Sequence, residues 1–243
     1  RHAQHVDIAP RPGRVAGVEV IGHRHTPLHR HVHGQETVGA THPRIRVTLD
    51  IGVEMHHLHQ AVHARIGASG GSAGACSSLW LAFHDDMADP KSADPIARES
   101  TRLLCAGVLG AQTSLDPKQM KEWTPNSKYG GHAFGFTGDP ATKLSQFDEF
   151  LAKRDTILPW IAEYSPYALV TKDDSAIYMN YGVPPGLGQD QKDPTHTSNF
   201  GVKLQEHCKE VGVECELMYP GAPGAKHASS RDYLLEKLKA AKN

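Results

Sequence analysis

Residues 65–84 constrain the fold more than any other stretch of the chain. Arg65-Ile66-Gly67-Ala68-Ser69-Gly70 is short and built from small residues, as a buried strand can be. Gly70-Gly71-Ser72-Ala73-Gly74 follows, and the run from Ala75 to His84 (ACSSLWLAFH) then reads as a helix. Strand, tight G-x-S-x-G turn and helix form an elbow that lifts a serine hydroxyl above a sheet. The chemistry accounts for the glycines. The serine sits in a strained conformation, and its neighbours must be small so that strand and helix can approach. The helix N-terminus then aims its N–H groups, Ala73 first, at an oxyanion developing beside the serine. Gly67-Ala68-Ser69-Gly70-Gly71 fits the same five-residue pattern. Ser72 is preferred because the helical pattern starts just after it. With Ser69, two glycines would fall in the first helical turns, each costing up to about 1 kcal/mol relative to alanine. A glycine–serine loop without chemistry is the competing reading.

Around that elbow the resemblance extends along the chain. GGSAGA (70–75), SLWLAFHDDMADP (78–90), SPYALV (165–170), PTH (194–196) and YPGAP (219–223) resemble the lipase/acetylesterase group of α/β-hydrolases, which includes bacterial carbohydrate esterases. Residues 66–243 are similar to the C-terminal two-thirds of such a domain. The resemblance implies an α/β fold, an α/β-hydrolase with a mostly parallel sheet flanked by helices and its N-terminal strands incomplete. It also implies a serine hydrolase of small carboxylic esters, acetyl esters on carbohydrate among them, with no cofactor and no metal.

In that fold the triad runs in the order Ser, Asp or Glu, His. Thr101–Leu109 reads as the next strand, and 117–123 and 143–154 as helices, with Asp116 placed to cap the first ahead of Pro117. Asn126–Pro140, rich in glycine and aromatics, reads as a loop over the site or as an ordinary surface loop. Ala176–Tyr181 is a further strand, and the resemblance puts the acid in the loop after it. Asp193 matches best, Asp190 is the second choice, and Glu206 is also in reach. Helix 200–211, strand 213–219 and helix 229–242 complete the pattern. The resemblance places the histidine between that last strand and helix, where His227 stands, five residues past Ala222. His196 is the alternative; it lies only three residues from Asp193, which makes the triad geometry harder. The expected constellation is therefore Ser72, Asp193 and His227, with the Ala73 N–H in the oxyanion hole.

Residues 1–65 do not match the rest. Through residue 66 the chain holds 12 of the 17 histidines but no lysine, aromatic residue, serine, asparagine or cysteine. A segment without aromatics has little with which to anchor a core. Such a bias is what GC-rich DNA read in a wrong frame would produce, and the expectation is a mistranslated, unrelated or disordered segment. Val18-Glu19-Val20-Ile21 could still form an isolated strand. The histidines (His29, His31, His33, His56, His57, His59, His63) leave a metal-binding reading open, since neutral imidazole is a common metal ligand. A second oxyanion donor should come from a His-Gly-Gly-Gly-type loop upstream of the elbow, but only His33-Gly34-Gln35 approaches it. That mismatch keeps a second function in view, an α/β-hydrolase-like binding protein with impaired turnover.

The formal net charge of −1 argues against a nucleic-acid binder driven by bulk charge. No apolar run reaches the roughly 18 residues of a membrane-spanning helix, and no signal peptide is visible. The partner implied is a small ester substrate, an acylated carbohydrate among the choices; compartment and oligomeric state stay open. Four cysteines exclude a disulfide scaffold. Cys76 and Cys105 fall on core elements. A Cys208–Cys215 disulfide is conceivable if their Cα atoms lie within about 7 Å.

Overall fold

The computed structural model describes residues 18–22 and 66–240. Its centre is a five-stranded sheet in the spatial order β1 (Val18–Gly22), β2 (Ile66–Gly71), β3 (Cys105–Leu109), β4 (Ala176–Asn180) and β5 (Cys215–Met218). Strands β2 to β5 are parallel to their neighbours, and β1 runs antiparallel to β2. The architecture is α/β, a mostly parallel sheet flanked by helices, as the resemblance implies. The strand expected to be isolated is instead a ladder partner: Val18 faces Gly70 and Gly22 faces Ile66, so β2 is not an edge. The other readings made on residues 1–65, including the histidine tract and His33-Gly34, lie outside the described residues.

Parallel strands need long crossovers, and here helices supply them. Helix α1 (Ala73–Phe83) links β2 to β3. Four short helices lie between β3 and β4: α2 (Pro117–Trp123), α3 (Gln146–Ala152), α4 (Leu158–Tyr164) and α5 (Pro166–Leu169). Helix α6 (Ser198–Val211) joins β4 to β5, and α7 (Ser230–Ala240) ends the described chain. Helices α4 and α5 are not anticipated from the sequence. Each is seven residues or fewer with a proline in its first two positions, too short for periodicity to show.

Alternation along the strands sorts the core onto two faces. Ala68, Ala106, Val108, Ile177 and Met179 face Ala75, Leu79 and Phe83 of α1 and Phe200, Leu204 and Cys208 of α6. Cys105 and Tyr178 face the other way, against Tyr233 and Leu234 of α7. Asp116 caps α2, accepting from Lys118 N, and is gripped by Arg154 through two bonds of 2.7 and 2.6 Å. All four cysteines are free thiols, so the conceivable Cys208–Cys215 disulfide is not formed. Burial pushes the Cys76 thiol up to about 12 and the Cys105 thiol to about 11. No helix among the described residues is long and apolar enough to cross a membrane.

Candidate active site

The C-terminal ends of β2, β3 and β4 converge on the elbow. Ser72 is the residue between β2 and α1, with φ 53° and ψ −120°, a region in which L side chains are strained by about 1–3 kcal/mol. Its backbone is held on both sides: Ser72 N donates to Leu109 O at 3.0 Å, and Ser72 O accepts from Cys76 N at 3.0 Å. Gly70 shows why the motif has its spacing. A Cβ there would stand 2.3 Å from the Gly74 carbonyl oxygen, inside the first turn of α1. Ser69, by contrast, lies within β2, where its hydroxyl donates to Gly107 O at 2.8 Å. No side chain caps α1, and the Ala73 residue at its start is exposed. The Ala73 N–H has no intrahelical acceptor.

The partner of Ser72 is His196. Its Nε2 lies 2.9 Å from Ser72 Oγ, and its Nδ1 lies 2.8 Å from Asp193 Oδ2. Asp193 also folds the turn that carries the ring, since its Oδ1 accepts from Thr195 N at 3.1 Å and His196 N at 3.2 Å. Burial raises the Asp193 carboxyl, but the bonds from the His196 ring and the Thr195 N–H outweigh it and leave the group lowered. An ionised carboxylate can only accept, so Nδ1 must carry the proton and Nε2 presents its lone pair to the serine. The carboxylate on the ring is that of Asp193. Asp190 is an exposed loop residue, and Glu206 pairs with Lys203 on α6 at 2.8 Å.

His227, where the resemblance placed the histidine, does not meet Ser72. Its Nδ1 is 2.8 Å from Glu216 Oε2 and its Nε2 is 3.0 Å from Glu236 Oε2. The ring stands edge-on to Tyr178 and Tyr233, in the cluster beneath α7. Glu216, more than any other group, raises its pKa, with Glu236 adding to it against a desolvation that lowers it. An imidazole donating both ring N–H groups to carboxylates has no lone pair left to take a proton from a serine.

The loop bearing Asp193 and His196 is anchored from below. Asn199 at the start of α6 donates to Trp123 O (2.8 Å) and Thr124 Oγ1 (2.9 Å) at the end of α2, and accepts from Gly186 N at 2.8 Å. Asn126 and Gln191 exchange bonds of 2.8 and 3.0 Å, so the start of the 126–140 stretch buttresses the loop that carries Asp193. Two open surface hollows lie elsewhere, one lined by Glu214–Leu217 and Pro223–Lys226 and the other by Thr137–Pro140 and Lys143–Gln146. The linked Ser72, His196 and Asp193 side chains are open to solvent, His196 and Asp193 being 41% and 57% exposed. Among the described residues no cluster of three or more His, Cys, Asp or Glu side chains could hold a metal ion.

Sheet and elbow together make an α/β architecture, a mostly parallel sheet flanked by helices with Ser72 at a strand–helix turn. No family model and no curated protein matches the chain. Solved structures similar to it include an acetyl ester-xyloside bifunctional hydrolase from Caldicellulosiruptor lactoaceticus, at 18% identity and TM-score 0.42 over 71% of this chain and 52% of that one. A truncated carbohydrate esterase from gut microbiota is similar at 11% identity and TM-score 0.42, over 72% and 59% of the two chains. A thermophilic esterase from Thermogutta terrifontis is similar at 19% identity and TM-score 0.39, over 72% and 52%. The match therefore spans little more than half the length of each of these proteins.

Proposed function

We propose that the protein is a serine hydrolase of small carboxylic esters, with Ser72 as nucleophile, His196 as general base and Asp193 as its orienting acid. The observation that carries the reading is the unbroken relay of 2.9 Å from Ser72 Oγ to His196 Nε2 and 2.8 Å from Nδ1 to Asp193. His196 Nε2 takes the Ser72 proton as Oγ bonds to the ester carbonyl carbon. The carbonyl π pair moves onto oxygen, and the Ala73 N–H is placed to stabilise it. Collapse of the tetrahedral intermediate breaks the bond to the alcohol, which leaves with the proton held on His196. Water then attacks the acyl-enzyme, giving its proton to Nε2, and the acid departs as that proton returns to Ser72 Oγ. Asp193 stays ionised throughout and stabilises the imidazolium.

Acetyl esters on carbohydrate are the finer substrate proposal. Its basis is the resemblance of residues 67–243, together with an open site that a bulky alcohol can approach from solvent.

A fluorophosphonate probe tests the reaction class without a correct substrate. The expected result is a label on Ser72, lost in His196→Ala and kept in His227→Ala. A label on Ser69, or one that disappears with His227 and survives removal of His196, would overturn the assignment. No label on folded protein would leave a binding protein with the same pocket. Acetate release from an acetylated oligosaccharide, compared with nitrophenyl esters of rising acyl length, tests the substrate class.

A further inference from the structure

The base is carried on a short exposed turn, yet its ring must stay within hydrogen-bond reach of Ser72. The turn's own bonds, all accepted by the Asp193 carboxylate, fix its internal shape but not its position over β2. Position has to come from a group outside residues 193–196 that is rigid with respect to the elbow.

One buried side chain meets that requirement. Gln112 lies in the loop just after β3, only 4% exposed. Its Nε2 donates to Thr195 O at 2.9 Å and to Gly110 O at 3.3 Å. Thr195 is the residue before His196. Gly110 continues the strand whose last residue, Leu109, accepts from Ser72 N. Gly110 N also donates to Asn180 O at 2.8 Å, which ties the loop to β4. The backbone of Gly110, at φ 56°, passes beneath the His196 ring; a Cβ there would lie 3.5 Å from Cδ2 and 3.6 Å from Cβ of His196. The rest of the loop is fastened independently. Tyr181 Oη donates to Ala111 O at 2.9 Å, and Thr113 Oγ1 donates to Phe200 O at 2.9 Å. The Gln112 backbone therefore sits between two fixed neighbours, and its amide is the one side-chain bond among the described residues that joins this fixed loop to the turn of the base.

We infer that Gln112 is a positioning residue for the triad: one amide nitrogen holds Thr195 O and Gly110 O together and so registers the His196 ring over Ser72. The inference rests on the serine-hydrolase reading above. Gln112 touches neither substrate nor the reacting atoms; it acts through the placement of His196. The strand-end loop and the base turn are separate in sequence, so no local bond can replace it.

The test is the full chain carrying Gln112→Met, which keeps volume and removes the donor, and Gln112→Glu, which turns an acceptor on the two carbonyls. Labelling of Ser72 by the fluorophosphonate is measured as a function of probe concentration, so that the maximal rate constant and the half-saturating concentration are read separately, with Tm measured alongside. The expected result is a maximal rate about tenfold to a hundredfold lower in Gln112→Met and lower still in Gln112→Glu, at unchanged half-saturating concentration, because a displacement of about 1 Å has that scale of effect. Equal maximal rates in wild type and either folded variant would overturn the inference while leaving the serine-hydrolase reading intact. So would a loss of rate that only tracks the fraction of unfolded protein. If Gln112→Met does not fold, Gln112→Glu decides by the same readout. A wild-type chain that takes no label removes the reading beneath the inference, and is distinguished from the other outcomes by needing no variant.

Discussion

Two adjacent glycines at the elbow should respond very unequally to the same methyl group. A Cβ on Gly70 would lie 2.3 Å from Gly74 O, 2.4 Å from Gly74 C and 2.9 Å from Ala75 N. These are backbone atoms in the first turn of α1, with no rotamer to move. Ordinary contact begins near 3.4 Å, so α1 must retreat from β2 by the difference, about 1 Å. Forcing extra volume into a packed site costs about 1–3 kcal/mol, and an unyielding neighbour puts Gly70→Ala near the top of that range. At about 2–4 °C per kcal/mol for a domain of this size, Tm should fall by about 6–12 °C. The same retreat carries Ser72 and the Ala73 N–H away from their working positions, so labelling of Ser72 should slow by about a hundredfold. At Gly71 a Cβ meets only Leu109 O, at 4.0 Å, and the residue needs no left-handed conformation. Gly71→Ala should therefore stay within about 0.5 kcal/mol of wild type. Thermal melts and fluorophosphonate labelling of both variants decide the matter. If Gly70→Ala melts and labels like wild type, the close strand–helix approach argued for the elbow is wrong.

His227, with both ring nitrogens on carboxylates, should contribute stability in a defined pH window. Its pKa is raised from 6.5, so its contribution is complete below about 6.5 and is lost as pH rises through the higher folded value. Burial raises Glu216, but its bonds from the His227 N–H groups prevail and lower it from 4.5, so its contribution is present above about 4.5 and fades as pH falls through the folded value. The Tm difference between wild type and His227→Gln should then be greatest near pH 5–6 and shrink toward alkaline pH, while Ser72 still labels; a difference that grows with pH would contradict the assignment. Among the described residues the Tyr233 hydroxyl is buried without a hydrogen-bond partner. Tyr233→Phe should therefore stabilise the protein by about 1 kcal/mol in urea unfolding, and a destabilised variant would show that the hydroxyl has a partner after all.

The strands, the elbow and most of the longer helices were legible because their signals are local. Small residues before Ser72, a proline after Asp116 and alternation in 176–181 each report on a few neighbouring positions. The short helices α4 and α5 carry no such signal. Neither does Gln112, whose work is done on a carbonyl 83 residues away. Pairing of residues 18–22 with β2 was hidden for a similar reason, since a five-residue strand says nothing about its neighbour.

The histidine is the instructive case. Chain order alone admits both His196 and His227, and closeness to the acid in sequence argued against His196. That argument assumes that a carboxylate and an imidazole three residues apart compete for the same space. In the fold they do not, because Asp193 divides its work between its two oxygens. Oδ1 closes the turn by taking the N–H groups of Thr195 and His196, and closing the turn is what swings the ring round to meet Oδ2. Short separation is then an advantage, since one side chain sets both the path of the backbone and the orientation of the ring. What the turn cannot supply is its distance from Ser72, which depends on the ends of β2 and β3. The sequence of the turn is enough to make a carboxylate–imidazole pair; the sheet is needed to bring that pair to Ser72.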